Sequence, residues 1–200
     1  MSNPILVVGV DEAGRGPLCA PVFSAAVILC HPLPLDLEEI TDSKNLSPKK
    51  RERLASLIHE HCVCGIGQAS VEEIDNLNIR NATFLAMRRA VAALPVVPSH
   101  IRVDGNVVPP GLPCSAEAII GGDGLCRAIG AASIIAKVAR DALMIELDKA
   151  YPGYGWAKNS GYGTKAHLEA IRELGITEHH RRSFRGVKEW VPKQQPRGSL

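Results

Sequence analysis

Gly9-Val-Asp-Glu-Ala-Gly-Arg-Gly-Pro17 is the stretch where this chain changes character. The residues leading into it, Pro4-Ile-Leu-Val-Val-Gly-Val10, are apolar and rich in β-branched side chains, and Asp11 and Glu12 end the run on two adjacent charges. Such a run reads as a buried β-strand with its chemistry at the end. Past the Gly-Arg-Gly-Pro turn, Pro21-Val-Phe-Ser-Ala-Ala-Val-Ile-Leu29 reads as a second strand, and the short connection makes the pair antiparallel. Adjacent strand residues face opposite ways, so Glu12 is expected at the strand end, where Ala13-Gly14 can re-aim it.

Ser47-Pro48 is a cap followed by a first-turn proline, and the amphipathic stretch through His61 continues as a helix. A strand over 63–69 follows, then a helix over 78–94 with Phe84, Met87, Val91 and Leu94 at helical spacing. His100-Ile-Arg-Val-Asp104 is a short strand that again finishes on a carboxylate, and a strand over 116–120 leads through Gly121-Gly122 to Asp123. The long helix over 125–150 carries Ala128, Ala131, Ala132, Ile135, Ala139 and Ala142 along one stripe, small enough to let its backbone lie close on a sheet. A helix over 165–174 precedes the basic run His179-His-Arg-Arg-Ser-Phe-Arg185. Strands interleaved with helices predict an α/β fold with one mixed sheet flanked by helices.

Of the 200 residues 46% are apolar, enough for one buried core, so a single domain over 1–190 and a flexible tail over 191–200 are expected. Lys plus Arg number 23 against 21 Asp plus Glu, and a net charge of +2 does not by itself announce a nucleic-acid binder. Cys19, Cys30, Cys62, Cys64, Cys114 and Cys126 form no CxxC pair and read as free thiols in a reducing compartment. The opening apolar run is too short for a membrane span and has no basic leader, so a cytoplasmic protein without a membrane role is expected.

Asp11 with Glu12, Asp104 and Asp123 all lie where strands lead out, and a sheet can bring such ends together. Carboxylates about 4 Å apart repel by about 4 kcal/mol at an effective dielectric near 20, so a cluster of them requires cations. Oxygen ligands with few imidazoles select Mg²⁺ or Mn²⁺, and two such ions can drive phosphodiester hydrolysis. A lone Asp in these places is more often a turn residue or a helix cap, and spacing alone does not choose these acids over Asp42, Asp75 or Asp141. The glycines of Gly14-Arg15-Gly16 allow backbone N–H groups to approach a sugar or phosphate oxygen. Ser133, Lys137 and Asp141 share a helix face, either as a Lys137–Asp141 ion pair or as a grip on phosphate. The run 179–185 is either a contact to a nucleic-acid backbone or a basic terminus.

Taken in order, Gly9-Val-Asp-Glu-Ala-Gly-Arg-Gly-Pro17, Asp42-Ser-Lys44, Val103-Asp-Gly105, Gly122-Asp123, Ala131-Ala-Ser-Ile-Ile-Ala-Lys137, Gly161-Tyr-Gly-Thr164 and His180-Arg-Arg-Ser-Phe184 resemble the motifs of ribonuclease HII, the bacterial type 2 ribonuclease H. The resemblance implies a ribonuclease H-like fold, a five-stranded mixed sheet with helices on both faces and a helical C-terminal extension. It implies that Asp11, Glu12, Asp104 and Asp123 are catalytic, metal-binding carboxylates holding two Mg²⁺ or Mn²⁺ ions. The substrates it implies are RNA/DNA hybrids and duplex DNA with embedded ribonucleotides, cut on the 5′ side of the ribose to leave 3′-hydroxyl and 5′-phosphate ends.

By the same matching, Gly14, Arg15 and Gly16 meet the 2′-hydroxyl, Tyr162 packs on the adjoining deoxyribose, and Lys44, Ser133 and Lys137 contact phosphates. Asn159-Ser160 and Arg185-Gly186 depart from the family's pattern, at positions tied to backbone contacts rather than to chemistry. No room is expected before Asp11 for the extra N-terminal domain of the related type 3 enzymes. A monomer is expected, with the tail from Lys193 to Leu200 a candidate contact for a replication clamp. The competing readings are a non-catalytic module that binds RNA/DNA junctions and an integrase-like strand transferase; the second would need DNA-end-binding domains for which 200 residues leave little space.

Overall fold

The computed structural model describes residues 6–29, 32–38, 40 and 46–192. Its strands are β1 (Val7–Ala13), β2 (Val22–Ile28), β3 (Val63–Ala69), β4 (His100–Asp104) and β5 (Ser115–Ile119), joined as one five-stranded sheet in the order β3-β2-β1-β4-β5. β1 is antiparallel to β2 and parallel to β4, so the sheet is mixed, and β1 lies at its centre. A central strand covered on both faces must be apolar throughout, which is why Val7 to Val10 carries no charge before Asp11.

Helix α2 (Pro48–His61) opens on Ser47, whose side chain accepts the Lys50 N–H, with Pro48 in the first turn as expected. Alternation along the strands divides the core into two layers. Ala25 and Val27 pack with Leu54 and Ile58 of α2 and with Ala131 and Ile135 of helix α6 (Arg127–Ala150). Val8, Val10, Ala26, Ile28, Ile101 and Val103 pack on the other face against Met87 and Val91 of helix α4 (Ile79–Ala92).

The close seat of α6 on β1 depends on a missing side chain. A Cβ at Gly9 would stand 2.1 Å from the backbone carbonyl carbon of Ala128, far inside van der Waals contact. The small-residue stripe therefore meets a strand that is itself stripped to glycine at the crossing.

Beyond α6, helices α7 (Trp156–Asn159) and α8 (Lys165–Leu174) form the C-terminal helical part. Trp156, Ile171 and Val187 pack there against Leu18, Cys19 and Ala20, which follow the Gly-Arg-Gly turn. Inside lie two imidazoles whose tautomers are set by their partners. The Thr177 N–H donates to His180 Nδ1 at 2.9 Å, leaving the His180 proton on Nε2, which faces His167 Nε2 at 3.3 Å. His167 Nε2 also accepts from Trp156 Nε1 at 2.9 Å, and its Nδ1 lies 2.9 Å from the Tyr162 carbonyl oxygen. Neither ring can take a second proton without losing a bond.

The short helices α1 (Leu35–Glu38) and α7 are additional to the sequence expectation, and three further elements differ from it. Helix α3 (Val71–Leu77) is additional and carries a capping box between Ser70 and Glu73, a signal present in the sequence as Ser70-Val-Glu-Glu73. Helix α5 (Gly122–Leu125) separates Asp123 from the long helix, so Asp123 sits in a helical turn of its own. β1 runs on to Ala13, and Glu12 is paired opposite Ser24 inside the ladder rather than released into a turn. The five cysteines among the described residues are free thiols, and no described helix is long and apolar enough to cross a membrane.

Two predictions follow from this packing. Gly9→Ala should destabilise the fold by roughly 3 kcal/mol or more, read as a lowered urea midpoint, because backbone stands where the methyl must go. Burial, then the neighbouring His167 and His179, push His180 down from 6.5 to about 4. The unfolded chain takes up this proton near pH 6.5 and the folded chain does not until about pH 4, so the stability is full above 6.5 and drains away as pH falls between them. The loss should reach about 3 kcal/mol between urea melts at pH 7.5 and pH 4, and His180→Gln should show a visibly shallower slope; equal slopes would contradict this assignment.

Candidate active site

Asp11 stands opposite Ala25 in the β1–β2 ladder, on the face covered by α6, and is only 5% exposed. Its Oδ1 accepts the Glu12 N–H at 2.7 Å, and its backbone carbonyl accepts the Ser24 hydroxyl at 2.7 Å. Burial, with Glu12 and Asp104 adding like charge, holds its carboxyl well above the usual range, while hydrogen bonds from Ser133 and the Glu12 amide oppose the rise. Ser133, expected at a phosphate, thus bonds to Asp11. Glu12 points toward the α4 face; burial raises its carboxyl, the Arg15 guanidinium at 3.2 Å opposes the rise, and Asp104 adds to it.

Asp104 ends β4 beside them. An open cleft of about 210 Å³ is lined by Asp11, Glu12, Gly14, Asp104, Ser133, Lys137, Arg140 and Tyr162, and a second of about 340 Å³ by Glu12, Arg15, Arg80, Asp104 and Asn106. Glu12 and Asp104 line both, so the acids occupy the rim of the sheet where its two faces meet. Asp104 Oδ1 is buried and is one of three such side-chain atoms with no hydrogen-bond partner among the described residues. A buried anionic oxygen without a donor costs free energy, which a cation removes.

Asp123 lines neither cleft but is close by: a Cβ on the preceding Gly122 would lie 3.4 Å from Asp104 Oδ1. Its own Oδ1 accepts the Gly124 N–H at 3.1 Å. Among the described residues no three His, Cys, Asp or Glu side chains already form a metal cage, so the structure brings together Asp11, Glu12 and Asp104 with Asp123 one residue from contact.

The glycine turn folds over this rim. Gly14 has φ +96°, and a Cβ there would meet Arg140 Nε at 2.1 Å, so both conformation and space demand glycine. Gly16 lies beneath the half-exposed Tyr162 ring, its Cβ position 3.2 Å from Cε1. Lys137 both lines the cleft and pairs with Asp141 at 2.6 Å, so the ion pair and the cleft position hold together. Lys44 lies outside the described residues.

The family description Ribonuclease HII matches residues 8–187 of this sequence. The chain belongs to the ribonuclease HII family. The ribonuclease HII of Paramagnetospirillum magneticum is 53% identical over 189 residues, covering 93% of this chain and 93% of the relative. The ribonuclease H2 structure from Pyrococcus horikoshii OT3 superposes with a TM-score of 0.79 at 27% identity, over 92% of this chain and 95% of that one. A chain in the structure of the PCNA:RNase HII complex from Archaeoglobus fulgidus gives 0.75 at 26% identity, over 95% and 97%.

As a ribonuclease HII, the chain is a metal-dependent endoribonuclease with the ribonuclease H-like fold. The orphaned Asp104 oxygen beside two acids of raised pKa fits a divalent cation, and the all-carboxylate donor set suits a hard one. Sequence reasoning missed Arg140, a 1% exposed cleft residue whose Nη1 donates to the Ser160 carbonyl at 3.1 Å. Its position three residues after Lys137 and seven after Ser133, on the same helix face, was the available signal. Gly14→Ala should lower ribonuclease activity per folded molecule at least tenfold, because the methyl displaces the Arg140 guanidinium; activity within twofold of wild type in a cleavage assay would contradict this.

Proposed function

We propose that this ribonuclease H cleaves the RNA strand of RNA/DNA hybrids and cuts duplex DNA on the 5′ side of a single embedded ribonucleotide, leaving 3′-hydroxyl and 5′-phosphate ends. The observation that carries the reading is the desolvated acid group of Asp11, Glu12 and Asp104 directly beside a glycine turn that exposes backbone amides. Acids of this kind suit phosphodiester hydrolysis, and amides of this kind suit a ribose hydroxyl.

Asp11, Glu12, Asp104 and Asp123 would hold two Mg²⁺ or Mn²⁺ ions, which supply polarisation of the scissile phosphate and a water of lowered pKa. The remaining roles belong to the chain. Ser133 holds the Asp11 carboxyl in its rotamer. The Arg15 guanidinium, 3.2 Å from Glu12, opposes the rise that burial gives its carboxyl and holds it along the rim. Gly14, Arg15 and Gly16 present main chain to the 2′-hydroxyl, which both donates and accepts. Tyr162 offers its exposed ring to the adjoining sugar, and Lys137 sets a positive charge beside the phosphate path. The Ser133 hydroxyl bonds to the Asp11 carboxyl, and among the described residues that line the cleft there is no His or Cys.

Because one structural neighbour comes from a PCNA:RNase HII complex, the proposal extends to a clamp contact through residues 193–200, which lie outside the described residues. Residues 1–190 then act as one cytoplasmic, monomeric catalytic unit.

The test is a duplex with one ribonucleotide, labelled at the 5′ end of that strand and run on a sequencing gel with Mg²⁺, with Mn²⁺ and with chelator. Cutting directly 5′ to the ribose in either metal and none in chelator is expected, and Asp104→Asn should cut at least a hundredfold more slowly. Binding without cutting in every condition would favour the junction-binding module instead.

A further inference from the structure

The basic run 179–185 does not behave as its composition suggests. Arg181 is 0% exposed, and each of its five N–H groups has a backbone carbonyl as partner. Nε donates to Ala20 at 2.9 Å, Nη1 to Arg15 at 2.9 Å and Pro17 at 2.8 Å, and Nη2 to Gly14 at 2.6 Å and Ala20 at 2.8 Å. Among the described residues it makes no ion pair with a carboxylate. A buried cation is here solvated by the dipoles of one loop, Gly14 to Ala20.

That solvation fixes which way the loop's peptides face. In a trans peptide the C=O and the following N–H point in opposite directions. Drawing the Gly14 and Arg15 carbonyls inward to Arg181 therefore turns the amides of Arg15 and Gly16 outward. Both residues are exposed, and neither amide has a backbone acceptor among the described residues. The grip also holds Ala20 at φ +67°, a left-handed conformation that costs an alanine free energy and persists only where the surroundings impose it. On the far side, Arg140 Nη2 donates to the Cys19 carbonyl at 3.4 Å, so two guanidinium groups bracket the loop.

We infer that Arg181 is a positioning residue for ribose selectivity: by holding the Gly14, Arg15 and Pro17 carbonyls, it keeps the Arg15 and Gly16 amides facing the 2′-hydroxyl of the bound nucleotide. The inference rests on the proposed cleavage at embedded ribonucleotides. Arg181 touches no substrate, so its removal weakens recognition of ribose and leaves general attraction to duplex DNA intact. Lysine keeps the charge but has three donors in place of a planar five, so Arg181→Lys isolates loop geometry from electrostatics.

The experiment measures, in Mg²⁺, the KM and kcat of wild type and Arg181→Lys on the one-ribonucleotide duplex, and the inhibition constant of the same duplex made wholly of DNA. Folding is checked by circular dichroism, and both constants are followed against salt. The expected result is a KM at least tenfold higher in the variant, an inhibition constant within twofold of wild type, and an unchanged salt slope. A folded variant with both constants unchanged would overturn the inference, as would a salt slope smaller by about one, the mark of a lost phosphate contact. Failure of the underlying function is separately visible, since wild type itself would then show no preference for the ribonucleotide duplex. Should the lysine variant not fold, hydrogen exchange on wild type decides: protection of the Arg15 and Gly16 amides by the ribonucleotide duplex alone supports the inference, and equal protection by both duplexes ends it.

Discussion

Negative charge forced out of water next to more negative charge is the constraint around which this molecule is organised. Asp11 sits on the central strand, nearly inaccessible, with Glu12 and Asp104 as like-charged neighbours. Uncompensated, this would be among the most expensive features a domain could carry. The compensation comes from distinct parts of the chain: the Ser133 hydroxyl from α6, the Glu12 amide from β1 itself, and the Arg15 guanidinium across the turn. α6 can deliver Ser133 only because Gly9 admits its backbone to within contact of β1. Packing at one end of the strand thus sets the electrostatics at the other.

The positive side of the site is built differently. Arg140 and Arg181 are as inaccessible as Asp11, yet backbone carbonyls, not carboxylates, surround them. Burial and the mutual repulsion of the two push Arg181 down to about 9, still charged at neutral pH. For Arg181 the carbonyl dipoles satisfy all five donors and leave the net charge in place, whereas Arg140 has carbonyl partners at Nη1 and Nη2 and none at the buried Nε. The rim therefore sets Asp11 and Asp104, which have no ion-pair partner among the described residues, near two buried guanidinium groups that are held by carbonyls instead of acids.

Much of this was legible in the sequence because it rests on pattern. The succession of strands along the chain, the mixed sheet, the proline-started α2 and the alanine stripe of α6 all follow from periodicity and end signals, and Asp11, Glu12 and Asp104 do meet at one sheet end. What stayed hidden depends on three-dimensional neighbours. The continuation of β1 through Glu12 is decided by the pairing of Ser24 and Phe23 with it, which no local turn signal reports. That Ser133 reaches the Asp11 carboxyl depends on how α6 lies on β1, which the sequence does not show. Arg181 is the clearest case: within a basic run nothing distinguishes a buried guanidinium from a solvated one, since its partners are carbonyls more than 160 residues away. α3 is the exception, a legible capping box passed over in favour of the longer helix beyond it.

Those long-range bonds also explain why a nuclease sheet carries a helical extension at all. The loop after Asp11 and Glu12 has too many glycines to hold a shape alone. It is pinned instead against the C-terminal part: the Leu18 amide donates to the Gly161 carbonyl, the Arg181 amide to the Leu18 carbonyl, and the Ala20 amide to that of His179. Tyr162, next to Gly161, is tied in turn to His167, and His167 to His180, so the ring over Gly16 and the clamp beneath it share one hydrogen-bonded support. A loop whose glycines would leave it flexible is thus held in one shape, its order supplied from the opposite end of the chain.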